Sequence, residues 1–78
     1  MPTVLRLGGF RFFFYSNEGN ESAHIHVQYQ KGVAKFWLSP VSLASNHGLN
    51  AKEINKAIKI VREHAKQMED KWNEYFSN

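Results

Sequence analysis

The sequence contains no cysteine, which excludes a disulfide framework, a thiolate zinc site and a cysteine nucleophile. It has no apolar stretch long enough for a signal peptide or a membrane span. In MPTVLRLGGFRFFFY the apolar runs are interrupted by Arg6, Gly8, Gly9 and Arg11. A cytoplasmic protein with no membrane partner is therefore expected. Internal repeats, low-complexity tracts and flexible linkers are also lacking. The charge imbalance is small. Residues 1–50 carry four Lys/Arg against two Glu, and residues 51–78 carry six against five acids, a net +3. Such a balance permits a nucleic-acid partner without demanding one.

What is present fits one domain over residues 1–78. A chain of 78 residues buries roughly 60% of the surface its unfolded form exposes. Its 42% hydrophobic and 14% aromatic residues suffice for one core. Residues 3–38 read as a sheet, 39–50 as a connecting loop and 51–76 as a helix. The fold class predicted is α+β, a four-stranded, mostly antiparallel sheet of two hairpins with one long C-terminal helix packed on one face. Thr3–Leu7 and Phe10–Ser16 flank a Gly8-Gly9 turn. After the polar loop NEGNESA, His24–Gln30 alternates polar and apolar residues. Lys31-Gly32 then leads into Val33–Leu38, and Pro40 is expected to end the sheet. Asn50 and Glu53 form a capping-box-like helix start.

The helix seam is Ile54, Ile58, Val61, Ala65, Met68, Trp72 and Tyr75, widened by Phe76. Twenty-six helical residues span about 39 Å, against about 23 Å for a seven-residue strand. The helix end is therefore expected to overhang the sheet. That would make Met68, Trp72, Tyr75 and Phe76 a partner-binding surface, for a second copy or a small partner protein.

Pairing arithmetic about the two turns sets Leu5 opposite Phe12, Thr3 opposite Phe14, Val27 opposite Phe36 and Ile25 opposite Leu38. Both hairpins then give one apolar face for the helix. The other face carries Arg6, Arg11, Phe13, Tyr15, His24, His26, Lys35 and Trp37, with His26 opposite Trp37 and Gln28 opposite Lys35. Arg6 and Arg11 face each other, which is unfavourable unless something anionic lies between them. Cations interleaved with flat rings suit single-stranded RNA, with Arg6, Arg11 and Lys35 on phosphates and Phe13 and Trp37 under bases. The same rings serve equally well as packing against a loop or a subunit.

His24-Ile25-His26 puts two imidazoles on one face, about 6.6 Å apart along the strand. That spacing suits two metal ligands or an acid and a base flanking a phosphate. A metal would need a third ligand, and His47 or Glu21 is nearest in sequence. With no H-x-x-x-H pair and no acidic cluster, no metal or other cofactor is expected. The catalytic candidates are His24 and His26 as acid and base, with Tyr15 as an alternative proton donor. Arg11 and Lys35 would stabilise phosphate charge. A hydrogen-bonding, structural use of both histidines competes with this reading.

The blocks GGFRFFFYSNEGN, AHIHV, AKFWLSPVSLASNHG, KEINKAIKIVREH and the closing WNEYF resemble the short bacterial proteins of domain-of-unknown-function family 4160, in order and over nearly the whole chain. The resemblance implies one half of a two-gene type II toxin–antitoxin module, with this half the toxin. Its partner would be a small protein of domain-of-unknown-function family 2442. The positions carried over are Arg11, Phe13 and Tyr15 in R-F-F-F-Y, His24 and His26 in H-x-H, and Lys35 and Trp37 in A-K-F-W. Family members often have prolines before the first histidine, where this chain has Glu21-Ser22-Ala23. The function expected is a toxin that binds RNA and, if an enzyme, cleaves it without a metal. The alternatives are a non-enzymatic nucleic-acid-binding module and an antitoxin-like protein-interaction subunit.

Overall fold

The computed structural model describes residues 3–76. Five strands, β1 (Thr3–Leu7), β2 (Phe10–Phe13), β3 (His24–Tyr29), β4 (Gly32–Leu38) and β5 (Val41–His47), precede a helix, α1 (Ala51–Phe76). The strands form one antiparallel meander in the order β1-β2-β3-β4-β5. The α+β class with one long C-terminal helix holds, but the sheet has five strands where four were expected. Pro40 does not end the sheet. It sits with Ser39 in the two-residue link between β4 and β5, where its missing N–H costs no ladder bond. β5 is an edge strand, and most of its residues are exposed. It therefore lacks the polar–apolar alternation that marks a half-buried strand.

The first hairpin pairs Leu7 with Phe10, Arg6 with Arg11 and Leu5 with Phe12 about Gly8 and Gly9, both at positive φ. A bulge after Thr3 then moves that residue opposite Phe13 rather than Phe14. In the second hairpin the turn is Gln30-Lys31, with Gln30 at φ 53°, so Tyr29 pairs with Gly32. His24 lies opposite Trp37 and His26 opposite Lys35, two residues from the expected register. An even slip leaves every side chain on its own face. The apolar face is therefore unchanged, with Phe10, Phe12, Ile25, Val27, Ala34, Phe36 and Leu38 all buried.

The helix starts where the capping box places it. The Asn50 N–H donates to Glu53 Oε1 at 2.9 Å, and the Glu53 N–H to Asn50 Oδ1 at 2.8 Å. Ala57, Val61, Met68 and Trp72 form its buried stripe, and the helical dihedrals break at His64 (φ −117°, ψ 16°). The apolar end runs past the end of β2 but is covered from within the chain. Phe14, beyond the end of β2, packs on Trp72, Tyr75 and Phe76 with ring centroids 5.4–5.5 Å away. Loop residue Gly19 lies against the Phe76 ring. The loop over residues 14–23 thus prolongs the sheet's cover, and among these ring residues Tyr75 is left exposed. Among the described residues no helix is long and apolar enough to cross a membrane.

Candidate functional site

The same loop brings a carboxylate onto the H-x-H strand. The Tyr15 N–H donates to Glu18 Oε1 at 3.0 Å, and the Glu21 N–H donates to the Glu18 carbonyl at 3.1 Å. These bonds fold residues 15–21 back over the start of β3. His26 Nε2 donates to both Glu18 oxygens, at 3.0 and 2.9 Å. Its ring stacks on Phe13 and meets the edge of Tyr15.

His24 is fully buried, at the first residue of β3 where the helix end and the loop close over the strand. Its ring touches Trp72 (4.7 Å), His26 (5.2 Å) and Trp37 (5.7 Å), measured between centroids. Nδ1 donates to the Ser22 carbonyl at 2.9 Å. Nε2 lies 3.1 Å from Glu18 Oε1, but off the hydrogen-bonding direction, so this buried nitrogen has no hydrogen-bond partner. The ligating atoms of Glu18, His24 and His26 all lie within 4.8 Å of one another.

Burial alone would raise the Glu18 carboxyl. Hydrogen bonds from His26 and the Tyr15 amide outweigh it and hold the group below its ordinary value of 4.5. Glu21 is also lowered, chiefly by its hydrogen bond from Lys35. That bond is 2.7 Å long, and the Lys35 ammonium rests 4.6 Å above the Trp37 ring. Lys35 is thus already engaged by a carboxylate and a ring.

Arg11 is braced differently. Its Nε donates to Thr3 Oγ1 (3.0 Å), Nη1 donates to Gln28 Oε1 (3.4 Å), and the guanidinium lies 4.5 Å over Phe13. Its cross-strand neighbour is Arg6, as the turn arithmetic requires. Among the described residues no carboxylate lies within ion-pair distance of either arginine.

The structure therefore brings Tyr15, His24 and His26 together around Glu18, with Lys35 and Trp37 on one side and Arg6, Arg11 and Phe13 on the other. Phe13 is 3% exposed and His24 fully enclosed, so neither ring presents a face to a solute. Met68 and Trp72 are core residues, and Tyr75 is exposed. Glu18 escaped sequence reasoning because the loop NEGNESA has no periodicity to orient it. The available signal was a glutamate six residues before an H-x-H strand. His47 ends β5 opposite Val33 and is not part of the cluster.

The loop, the H-x-H strand and all but the last three residues of the capped helix fall within residues 9–73, which match the family model described as "Domain of unknown function (DUF4160)". The chain belongs to the DUF4160 family. The matched segment runs from the first turn to the residue after Trp72, and so contains every member of the Glu18 cluster. No curated protein and no solved structure matches the chain.

Proposed function

We propose that this DUF4160 protein is the toxin half of a bacterial two-gene toxin–antitoxin module, and that it acts by holding single-stranded RNA on the open face of its sheet. The observation that carries this reading is the Arg6–Arg11 pair. The two arginines stand opposite each other on paired strands, and among the described residues no carboxylate lies within ion-pair distance of either. One of them is held in place by Thr3, Gln28 and Phe13. Like charges so placed are unfavourable unless an anion lies between them, and guanidinium groups match phosphate geometry. Tyr15, exposed and edge-on to the Phe13 ring that Arg11 covers, and Trp37, half-buried beyond Lys35, supply ring surface for bases. A small cognate protein, of the kind the family resemblance implies, would cover the arginines until released.

Binding without cleavage is favoured over a histidine nuclease by the enclosure of His24. An acid–base pair must reach the phosphate. Here one imidazole is fully buried and the other is hydrogen-bonded to Glu18.

The test is fluorescence anisotropy with a labelled single-stranded RNA, comparing wild type with the R6Q/R11Q double variant at several salt concentrations. The variant is expected to bind at least about tenfold more weakly, with a salt slope smaller by about 1.4, or roughly 0.7 per lost phosphate contact. Growth arrest on expression should weaken in parallel, with cellular RNA intact. Unchanged affinity in the double variant would overturn the reading. So would RNA breakdown that stops in His26→Gln, which would restore the nuclease.

A further inference from the structure

The Glu18, His24 and His26 cluster poses an electrostatic problem. A carbonyl only accepts, so the bond to Ser22 puts the hydrogen of His24 on Nδ1. The neutral ring then leaves Nε2 as a bare lone pair. That lone pair is buried and lies 3.1 Å from a carboxylate oxygen, another acceptor. Two acceptors at that distance repel unless a positive charge stands between them.

A second ring proton is one solution, but Glu18 Oε1 lies off the line such an N–H would take. A metal ion imposes a different geometry. Ligands at neighbouring corners of a tetrahedron point at the ion rather than at each other. With bonds of 2.0–2.1 Å to nitrogen and oxygen, their donor atoms stand about 3.3 Å apart. Glu18 Oε1 stands 3.1 Å from His24 Nε2 and 3.0 Å from His26 Nε2, and the ligating atoms of the three residues lie within 4.8 Å of one another, a set that an ion would draw together.

We infer that Glu18, His24 and His26 form a binding site for one divalent transition-metal ion of the zinc class. Two imidazole nitrogens and one carboxylate oxygen are a borderline-soft donor set suited to zinc. The Nδ1–H to Ser22 carbonyl bond is the outer contact that fixes a ligating histidine in its metal-binding tautomer. The Tyr15 amide does the same for the carboxylate. His24 is sealed by Trp72 and Trp37, whereas the side chains of Glu18 and His26 are 16% and 12% exposed. The ion therefore enters from the loop side, and three protein ligands leave a fourth position for water or an anion. Uptake requires the hydrogen that His26 Nε2 now donates to Glu18 to leave that nitrogen, so that the neutral ring carries it on Nδ1 and turns the Nε2 lone pair to the ion. The site stands apart from the RNA reading, which rests on Arg6 and Arg11.

The experiment uses the full chain, stripped with a chelator and titrated with zinc chloride by calorimetry. Cobalt(II) serves as a visible-absorption probe of four-coordinate geometry. One zinc per chain is expected, with a rise in melting temperature and an intense cobalt band. Glu18→Gln, whose fold is checked by circular dichroism, should weaken zinc at least about tenfold. The controls His47→Ala and His64→Ala should bind as wild type does. No saturable zinc uptake at millimolar concentration overturns the site. So does uptake that survives Glu18→Gln but is lost in a control, or a nitrogen NMR spectrum showing His24 doubly protonated in the zinc-treated chain.

Discussion

Gly32 shows how much one position can depend on having no side chain. Sequence reading placed it in a turn, but it is the first residue of β4, buried under Leu49 and the Gly48 backbone. A Cβ there would stand 2.5 Å from Leu49 Cδ2 and 2.9 Å from the Gly48 carbonyl oxygen. The leucine tip can turn aside, whereas the backbone is tied down. The Asn46 side chain donates to the Leu49 carbonyl and accepts from the Leu49 N–H. Gly32→Ala should therefore cost about 1–3 kcal/mol, the usual penalty for overpacking. Urea denaturation followed by circular dichroism measures it. Gly8→Ala is the useful contrast, because nothing lies within 4 Å of its Cβ position and only the left-handed φ of 57° opposes it. Its cost should stay near 1 kcal/mol. Equal losses at the two positions would mean that the Gly48 backbone yields.

Among the elements, the closure of loop 14–23 on the helix end matters most, because it shields the core and also builds the Glu18 cluster. Phe14 is 1% exposed and contacts three helix rings, while Trp72 contacts both Phe14 and His24. Phe14→Ala should cost about 3–5 kcal/mol, much of the stability available to so small a chain. A thermal melt of the variant checks this, and a loss below 1 kcal/mol would mean that the loop is not part of the fold's cooperative unit. The same region marks the limit of what the sequence could show. Helix bounds were legible because Asn50, Glu53 and the three-and-four spacing are local signals. Face assignments in β3 and β4 were legible because alternation fixes parity. Register was not, since alternation is blind to a slip of two. β5 was hidden because an exposed edge strand has no apolar face to display. Glu18 was hidden because a loop's course is set by individual bonds, here from the Tyr15 amide and His26, that no periodic spacing records.

At the scale of the whole molecule the question is where its excess positive charge is available. On the sheet side Glu18 and Glu21 engage His26 and Lys35, leaving Arg6, Arg11 and the turn residue Lys31 without an ion pair among the described residues, and of these only the arginines stand paired across two strands. The helix offers a second basic zone. Lys52, Lys56 and Lys59 recur at four- and three-residue spacing and border a groove of about 470 Å³ with Phe10 and Tyr29. That groove is larger than the space beside Trp37, about 280 Å³, but its rings are spent. Phe10 is 4% exposed and stacks on Tyr29 at 4.4 Å between centroids. Lysines without open rings give diffuse, salt-screened attraction that falls off over about 8 Å at physiological ionic strength. Arginines beside rings hold a strand in register. The triple variant K52Q/K56Q/K59Q should therefore lower RNA affinity less than about threefold at that ionic strength, with a larger effect only at low salt. R6Q/R11Q removes fewer charges and should cost at least about tenfold under both conditions. The reverse order would move the RNA surface to the helix groove and leave the arginine pair without an anion to explain it.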